Sequence, residues 1–261
     1  MSPTPPFAPG RGLSLDLQDH VATLEFSRPP HNFFDKELIE DLVAALEHLD
    51  QVADCRVIIL QAQGKAFCAG ADFSGPQQQD PQFPRRLYTF AVRLFRTRKP
   101  LIVAVEGAAV GGGLGLALIG DFRVTSRAAR FSANFNRLGI HQGFGLSVTL
   151  PRLVGPQQAA LLLATARRID GAEAVRIGLA DVLVEPGQER QAARDLAAEI
   201  AQSAPLAVMS SRETLRKGLA EQIEQAVDRE ASEQEWQIVS ADFAEGTRAM
   251  LERRVPVFIG A

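Results

Sequence analysis

The fold turns on residues 109–121, AVGGGLGLALIGD. Gly111, Gly112, Gly113 and Gly115 place four glycines within five positions, and an apolar run follows. Each glycine inside a helix costs up to about 1 kcal/mol against alanine. A chain that keeps them there needs bare backbone, either for positive φ or for the close approach of another group. The preceding LIVAVEG at 101–107 reads as a buried strand, so the glycines sit where a strand runs into a helix. Such a junction presents free N–H groups at the positive end of the helix dipole. That setting suits the oxyanion that forms when a carbonyl is attacked or enolised. On the residues alone, the glycines equally permit tight packing of a helix on a sheet.

Nucleotide motifs do not fit the cluster. A dinucleotide fingerprint needs G-x-G-x-x-G/A. Counted from Gly111 the sixth position is Leu116, and from Gly113 it is Leu118. The Gly-Lys-Ser/Thr of a phosphate-binding loop is absent as well.

Outward from the cluster, strand and helix alternate. LSLDLQDHVATLEF at 13–26 alternates on both sides of Gln18-Asp19-His20 and predicts a hairpin. RPPHNFF follows as a loop. Asp35 reads as an N-cap, with Leu38, Leu42, Ala45, Leu46 and Leu49 at helical spacing. CRVIILQA at 55–62 is a buried strand, GKAFCAGADF at 64–73 a small-residue loop, and PQQQDPQFP at 76–84 a mobile connection. A helix is expected over 85–98, ended by Pro100. DFRVTS and ARFS read as short strands. Helices are expected over 146–153 and from Pro156 through ARRI, then GAEAVRIG as a short helix and ADVLVEP as a strand. From residue 188 the reading is almost wholly helical. The order predicts an α/β fold with parallel pairing. It divides into an N-terminal arm at 1–12, expected to be disordered, a core at 13–186 and a helical region at 187–261.

Composition excludes several classes. The 261 residues are 46% hydrophobic and 23% charged, with a net charge of −3. That balance gives no reason to expect nucleic acid or an anionic membrane as partner. No apolar run approaches a membrane span, and no secretory signal is visible. Two cysteines, Cys55 and Cys68, fit neither a disulfide framework nor a zinc motif. The cytoplasm is the expected location.

GKAFCAGAD at 64–72 is a second strand-to-turn junction of small residues. Two such junctions, after VIILQ and after LIVAV, can converge at the carboxyl edge of a parallel sheet, where open α/β folds bind ligands. GKAFCAGAD, then VEGAAVGGGLGLALIGDFRVTS, then ARFSANFNRLGI, resembles the crotonase superfamily, the enoyl-CoA hydratase/isomerase family. RPPHNFFDKELIEDL, the stretch from PRLVG to LVEP, and RAMLERRVPVF are similar to that family as well. The resemblance runs from about residue 13 to the end.

The resemblance implies a crotonase-type spiral of β-β-α units with a C-terminal helical region used for trimerisation, as a homotrimer or a dimer of trimers. It implies an acyl thioester of coenzyme A as ligand, with no cofactor beyond the coenzyme A of the substrate. It further implies an oxyanion hole made by the backbone N–H of Ala71 and of Gly112. By the same resemblance Asn32, Phe33 and Phe34, with Cys68, Ala69 and Gly70, line the coenzyme groove. Asp72, Gly111, Phe135 and Gly143 lie along the ligand path.

The sequence departs from the family at the acid and base. One family glutamate follows the glycine triplet by two positions, and here that residue is Gly115. The other falls at Phe135. Relatives with an aspartate eight residues further on would carry it at Gly143. None of these residues transfers a proton. His141 is the candidate replacement, because its ordinary pKa is the one nearest neutrality; a loop histidine bonded to backbone is the plainer reading. Gln142 can orient water. Asp72 and Glu106 read as structural carboxylates. Tyr88 and Arg86 lie on a lid helix where either can face the acyl group. Tyr88, Phe83, Phe90 and Phe95 read more readily as packing residues. Three functions stay open: an acyl-CoA enzyme with atypical acid/base groups, a non-catalytic acyl-CoA binder, and a weak hydratase using water held by the Gly143 N–H and His141.

Overall fold

The computed structural model describes residues 10, 12–72 and 80–261. The N-terminal arm expected at 1–12 lies outside the described residues except for 10 and 12, and the connection at 76–84 lies outside them over 76–79.

Strands β1 (Leu13–Gln18) and β2 (Val21–Phe26) form the expected antiparallel hairpin. Asp19 and His20 turn it, both with positive φ (48° and 68°), as the tight turns that match strand twist require. Helix α1 (Lys36–Gln51) starts where Asp35 accepts a 2.7 Å hydrogen bond from Leu38 N.

A β-β-α pattern then repeats. β3 (Val57–Ala62) and β4 (Ala66–Cys68) precede α2 (Phe83–Ala91). β5 (Leu101–Val105) and β6 (Ala108–Val110) precede α3 (Gly112–Ala117). β7 (Phe122–Ser126) and β8 (Arg130–Ser132) precede a 3-10 turn (Asn134–Leu138) and α4 (Leu146–Thr165). Short elements β9 (Ile169–Asp170), α5 (Gly171–Arg176) and β10 (Val182–Val184) follow. The chain ends in α6 (Glu189–Ala201), α7 (Pro205–Leu215), α8 (Leu219–Gln237) and α9 (Ala241–Leu251).

The first strand of each unit joins a six-stranded sheet of order β1-β2-β3-β5-β7-β10, and the second joins a four-stranded sheet of order β4-β6-β8-β9. This is the mixed α/β spiral that the resemblance implies. Its central strands are buried on both faces, so β5 reads as an unbroken apolar run and β3 as one broken only by Gln61. On one face α6 lays Ala193, Ala197 and Ala201 against Val57, Ile59, Ile102, Ala104 and Val124. On the other, α1 packs Leu38, Leu42, Leu46 and Leu49 into the main core.

Several boundaries differ from the sequence reading. The loop expected at 64–73 contains β4, three residues that pair in parallel with β6 and are too few to show a period. The strand expected from residue 55 begins at Val57, with Cys55 buried just ahead of it. The helix expected over 85–98 starts at Phe83, because Pro84 is tolerated in the first turn, and tightens to a 3-10 turn over Val92–Arg96. The helix expected through ARRI stops at Thr165; Ala166 turns left-handed (φ 48°) and Ile169 enters β9. Gly155 (φ 77°, ψ 159°) breaks α4 ahead of Pro156, where two separate helices are expected.

Candidate active site

A cleft of about 630 Å³ opens where the two glycine-bearing junctions meet. Its near wall is Phe33, Phe34 and the run Ala69, Gly70, Ala71 and Asp72, facing Val110, Gly111 and Gly112. Gly70 and Gly111 both have positive φ (91° and 56°), which other residues adopt only at a cost. A methyl group on Gly70 would lie 2.9 Å from Val110 O and 3.9 Å from Gly112 N. The two turns are therefore in contact, and only glycine allows it. A side chain on Gly112 would run into the Phe34 ring.

Phe34 N donates to Gly70 O at 3.0 Å, which ties the loop after β2 to the first junction. Gly111 N donates to Ser132 O at 2.8 Å, which ties the second junction to β8. Among the described residues, neither Ala71 N–H nor Gly112 N–H has a hydrogen-bond acceptor.

The far wall comes from elements distant in sequence. Phe83, Leu87 and Tyr88 of α2 and its first turn line it, with Phe135, Leu138 and Ile140. The C-terminal helices add Gln234, Ile238 and Phe243. The Tyr88 hydroxyl donates to Gln234 Oε1 at 3.2 Å, and Gln234 Nε2 donates to His141 O at 2.6 Å. Burial holds the Tyr88 phenol well above its ordinary pKa, so it stays protonated.

The expected site residues divide in two. Phe33, Phe34, Ala69, Gly70, Ala71, Asp72, Gly111, Gly112 and Phe135 share the cleft. Asn32, Cys68, His141 and Gly143 stand outside its lining. Asn32 is a buried brace: Nδ2 donates to Gln63 O and Ala66 O at 2.6 and 2.7 Å, and Oδ1 accepts from Arg28 N at 2.7 Å. Cys68 is fully buried, and burial pushes its thiol up to about 12, so it is no nucleophile. His141 is held by α8 and its own loop, its backbone N–H donating to Gln237 Oε1 at 2.6 Å and its ring Nδ1 2.7 Å from Gln142 O. Gly143 lies against the Tyr88 ring and hydroxyl, which would meet any side chain there.

Other candidates resolve similarly. Glu106 accepts from Arg190 Nε at 2.8 Å, away from the cleft. Arg86 binds Asp80 and does not line the cleft. Phe95 is buried, and Phe90 carries the Arg93 guanidinium 4.8 Å from its ring centre.

Gly115 is covered by Phe144, whose Cβ would stand 2.7 Å from a Cβ at that position. Phe144 packs on Phe34 and Tyr88, with ring centres 5.6 and 6.1 Å apart.

The sequence pattern of the enoyl-CoA hydratase/isomerase family matches residues 16–261. The chain belongs to the enoyl-CoA hydratase/isomerase family. It is 39% identical over 207 residues to a protein of Mycobacterium tuberculosis named probable enoyl-CoA hydratase, covering 77% of this chain and 80% of that one. It is 34% identical over 253 residues to the crotonyl-CoA hydratase of Syntrophomonas wolfei, covering 95% and 97%. An enoyl-CoA hydratase/isomerase crystal structure from Pseudoalteromonas atlantica superposes with a TM-score of 0.84 at 29% identity, over 95% of this chain and all of that one.

Within this family member, the cleft's titratable groups among the described residues are His31, Asp72, Asp80 and Tyr88, with Arg130, Arg168 and Arg253 as cations. His31 and the arginines fall within the stretches that resemble the family, but no spacing singles them out there, and only the fold brings them to one cavity. No group of three or more His, Cys, Asp or Glu among the described residues is placed to hold a metal ion. No described helix is long and apolar enough to cross a membrane.

Proposed function

We propose that the cleft takes an acyl thioester of coenzyme A, and that the N–H groups of Ala71 and Gly112 donate together to the thioester oxygen and stabilise its enolate. The contact between the two glycine junctions carries this reading, because it sets at one cavity two amides that have no acceptor among the described residues. One such donor is worth roughly 10²–10³ in rate. Gly115 and Phe135 stand at the family's two glutamate positions, so proton transfer falls to another group or the reaction needs none. Coenzyme A enters as part of the substrate and no separate cofactor is used.

The reading places a homotrimer or a dimer of trimers in the cytoplasm. Exposed Leu206, Leu215, Trp236 and Leu251 on the C-terminal helices support an oligomer. Two unpaired cysteines support a reducing compartment.

The test is a panel of enoyl, malonyl-type and aryl thioesters. Turnover of at least one class is expected, and failure with all of them would count heavily against an enzyme. A second reading, a binder that has lost the chemistry, draws on Phe144 over Gly115 and on Phe135 in the wall; tight binding without turnover selects it. The hydratase reading needs His141 and Gly143 at the substrate and draws no support from their places outside the lining.

A further inference from the structure

We propose that Arg130 and Arg168 form a carboxylate-binding subsite on the small-sheet wall of the cleft, so that the acyl group taken there ends in a carboxylate. This rests on the thioester reading above and adds the substrate class.

The placement follows from strand register. Ala108 pairs with Arg130 and Val110 with Ser132 in the parallel β6–β8 pair. Alternate residues share a face, so Arg130 lies on the face of Ala108 and Val110, and all three line the cleft. Arg130 also stands opposite Asp170, and Phe131 opposite Ile169, in the antiparallel β8–β9 pair. One step on, Arg168 comes beside Ser132, diagonal to Arg130, and it too lines the cleft. Val110, Ser132 and Arg168 thus form a row across the sheet. Two inter-strand spacings, roughly 10 Å, separate the backbone of Arg168 from Val110, just ahead of Gly111 and Gly112. A carboxylate a few carbons beyond a thioester held at the Gly112 amide would come within reach of that row.

The charges agree. Arg168 has neither a hydrogen bond nor an ion pair among the described residues. Arg130 uses Nη1 on the carbonyls of Arg127 and Ala129, both at 2.7 Å, and this leaves Nε and Nη2 without a partner among the described residues. Asp170, the nearest carboxylate by register, accepts from Glu173 N at 2.8 Å as the cap of α5. Of the acids lining the cleft, Asp80 is held by Arg86 and by Gln82 N, and Asp72 belongs to the opposite wall. Two neighbouring cations that make no ion pair among the described residues, on the wall of a largely apolar cavity, match the forked geometry by which arginine holds a carboxylate.

The phosphates of coenzyme A share this chemistry, and the experiment separates the two sources. Calorimetric titrations would compare glutaryl-CoA, hexanoyl-CoA and free coenzyme A on the full chain. The variants are Arg168→Met, the double Arg130→Met/Arg168→Met and Arg168→Glu, all at exposed positions whose folding is checked by circular dichroism. The native protein is expected to bind glutaryl-CoA at least about 10-fold more tightly than hexanoyl-CoA, as a charge-assisted pair implies. The double variant loses that preference while its affinity for free coenzyme A stays unchanged, and Arg168→Glu reverses the preference. Equal binding of the two thioesters by the native protein overturns the subsite alone. So does a loss in the variants that extends equally to free coenzyme A, which would assign the arginines to phosphate. Failure of every thioester to bind overturns the thioester reading and the subsite with it.

Discussion

Phe144 stands between two glycines with φ of 60°, a conformation that costs a bulky residue free energy. Its ring is buried against Gly115, Phe34 and Tyr88, which offsets that cost by packing. The pair explains why position 115 resists a larger side chain. Gly115→Glu sets its Cβ against the Phe144 Cβ, an atom held close to the backbone, so we expect a loss of about 1–3 kcal/mol or more. Phe144→Ala removes a core aromatic and costs about 3–5 kcal/mol alone. Urea unfolding of the double variant is expected to show a loss smaller than the sum of the two, because the second change makes room for the first. Strict additivity would show that the residues do not compete for one space. Gly112→Ala is the companion case: its methyl meets Phe34, and both stability and thioester affinity are expected to fall in the same titrations.

At the scale of elements, α8 braces the site. Glu230 is fully buried on it and caps α4 from a distance, accepting from Gly145 N at 2.8 Å and Ser147 N at 2.9 Å. Burial raises its carboxyl to about 7, while the two backbone donors pull the other way. The unfolded chain has the group near its ordinary 4.5. Between those values the folded state holds the proton more tightly, so stability is fullest below pH 4.5 and declines as pH rises towards 7. The decline from this group is at most about 3 kcal/mol. Thermal unfolding across that range is expected to show the slope, and Glu230→Gln to flatten it. An unchanged slope in the variant would assign the pH dependence elsewhere.

The elements also show what a sequence conveys and where it stops. β3 and β5 are runs rich in β-branched residues, and Asp35 marks the start of α1; those positions are readable without coordinates. β4 and β9 have three and two residues and carry no periodicity, so the small sheet is invisible as a sheet. The near wall of the cleft is announced by glycines that pay for themselves only at a close approach. The far wall is not, because α8 shows a helical stripe of Ile223, Val227, Ala231 and Gln234, and no spacing says that Gln234 turns to a cavity built by residues 69–72.

At the scale of the whole molecule, the C-terminal region both lines the cleft and leaves Leu206, Leu215, Trp236, Val239 and Leu251 exposed. Sedimentation is expected to give a trimer or its dimer, and Leu215→Asp with Trp236→Asp to lower the mass. A monomer at working concentration would contradict the assembly. Any ligand that fits the cleft must also stabilise the fold. At 100 times its Kd an acyl-CoA adds about 2.7 kcal/mol, visible as a raised Tm, and no rise with any acyl-CoA would count against enzyme and binder alike.

The two amides admit a more direct measurement, the infrared spectrum of an acyl-CoA carrying ¹³C at the thioester carbonyl, read free and bound. Two N–H donors on one oxygen polarise and weaken the C=O bond, so the labelled stretch is expected to move to lower frequency on binding, and to move less in Gly112→Ala. A bound thioester whose carbonyl absorbs at its free frequency would contradict the account, whatever else the cleft holds.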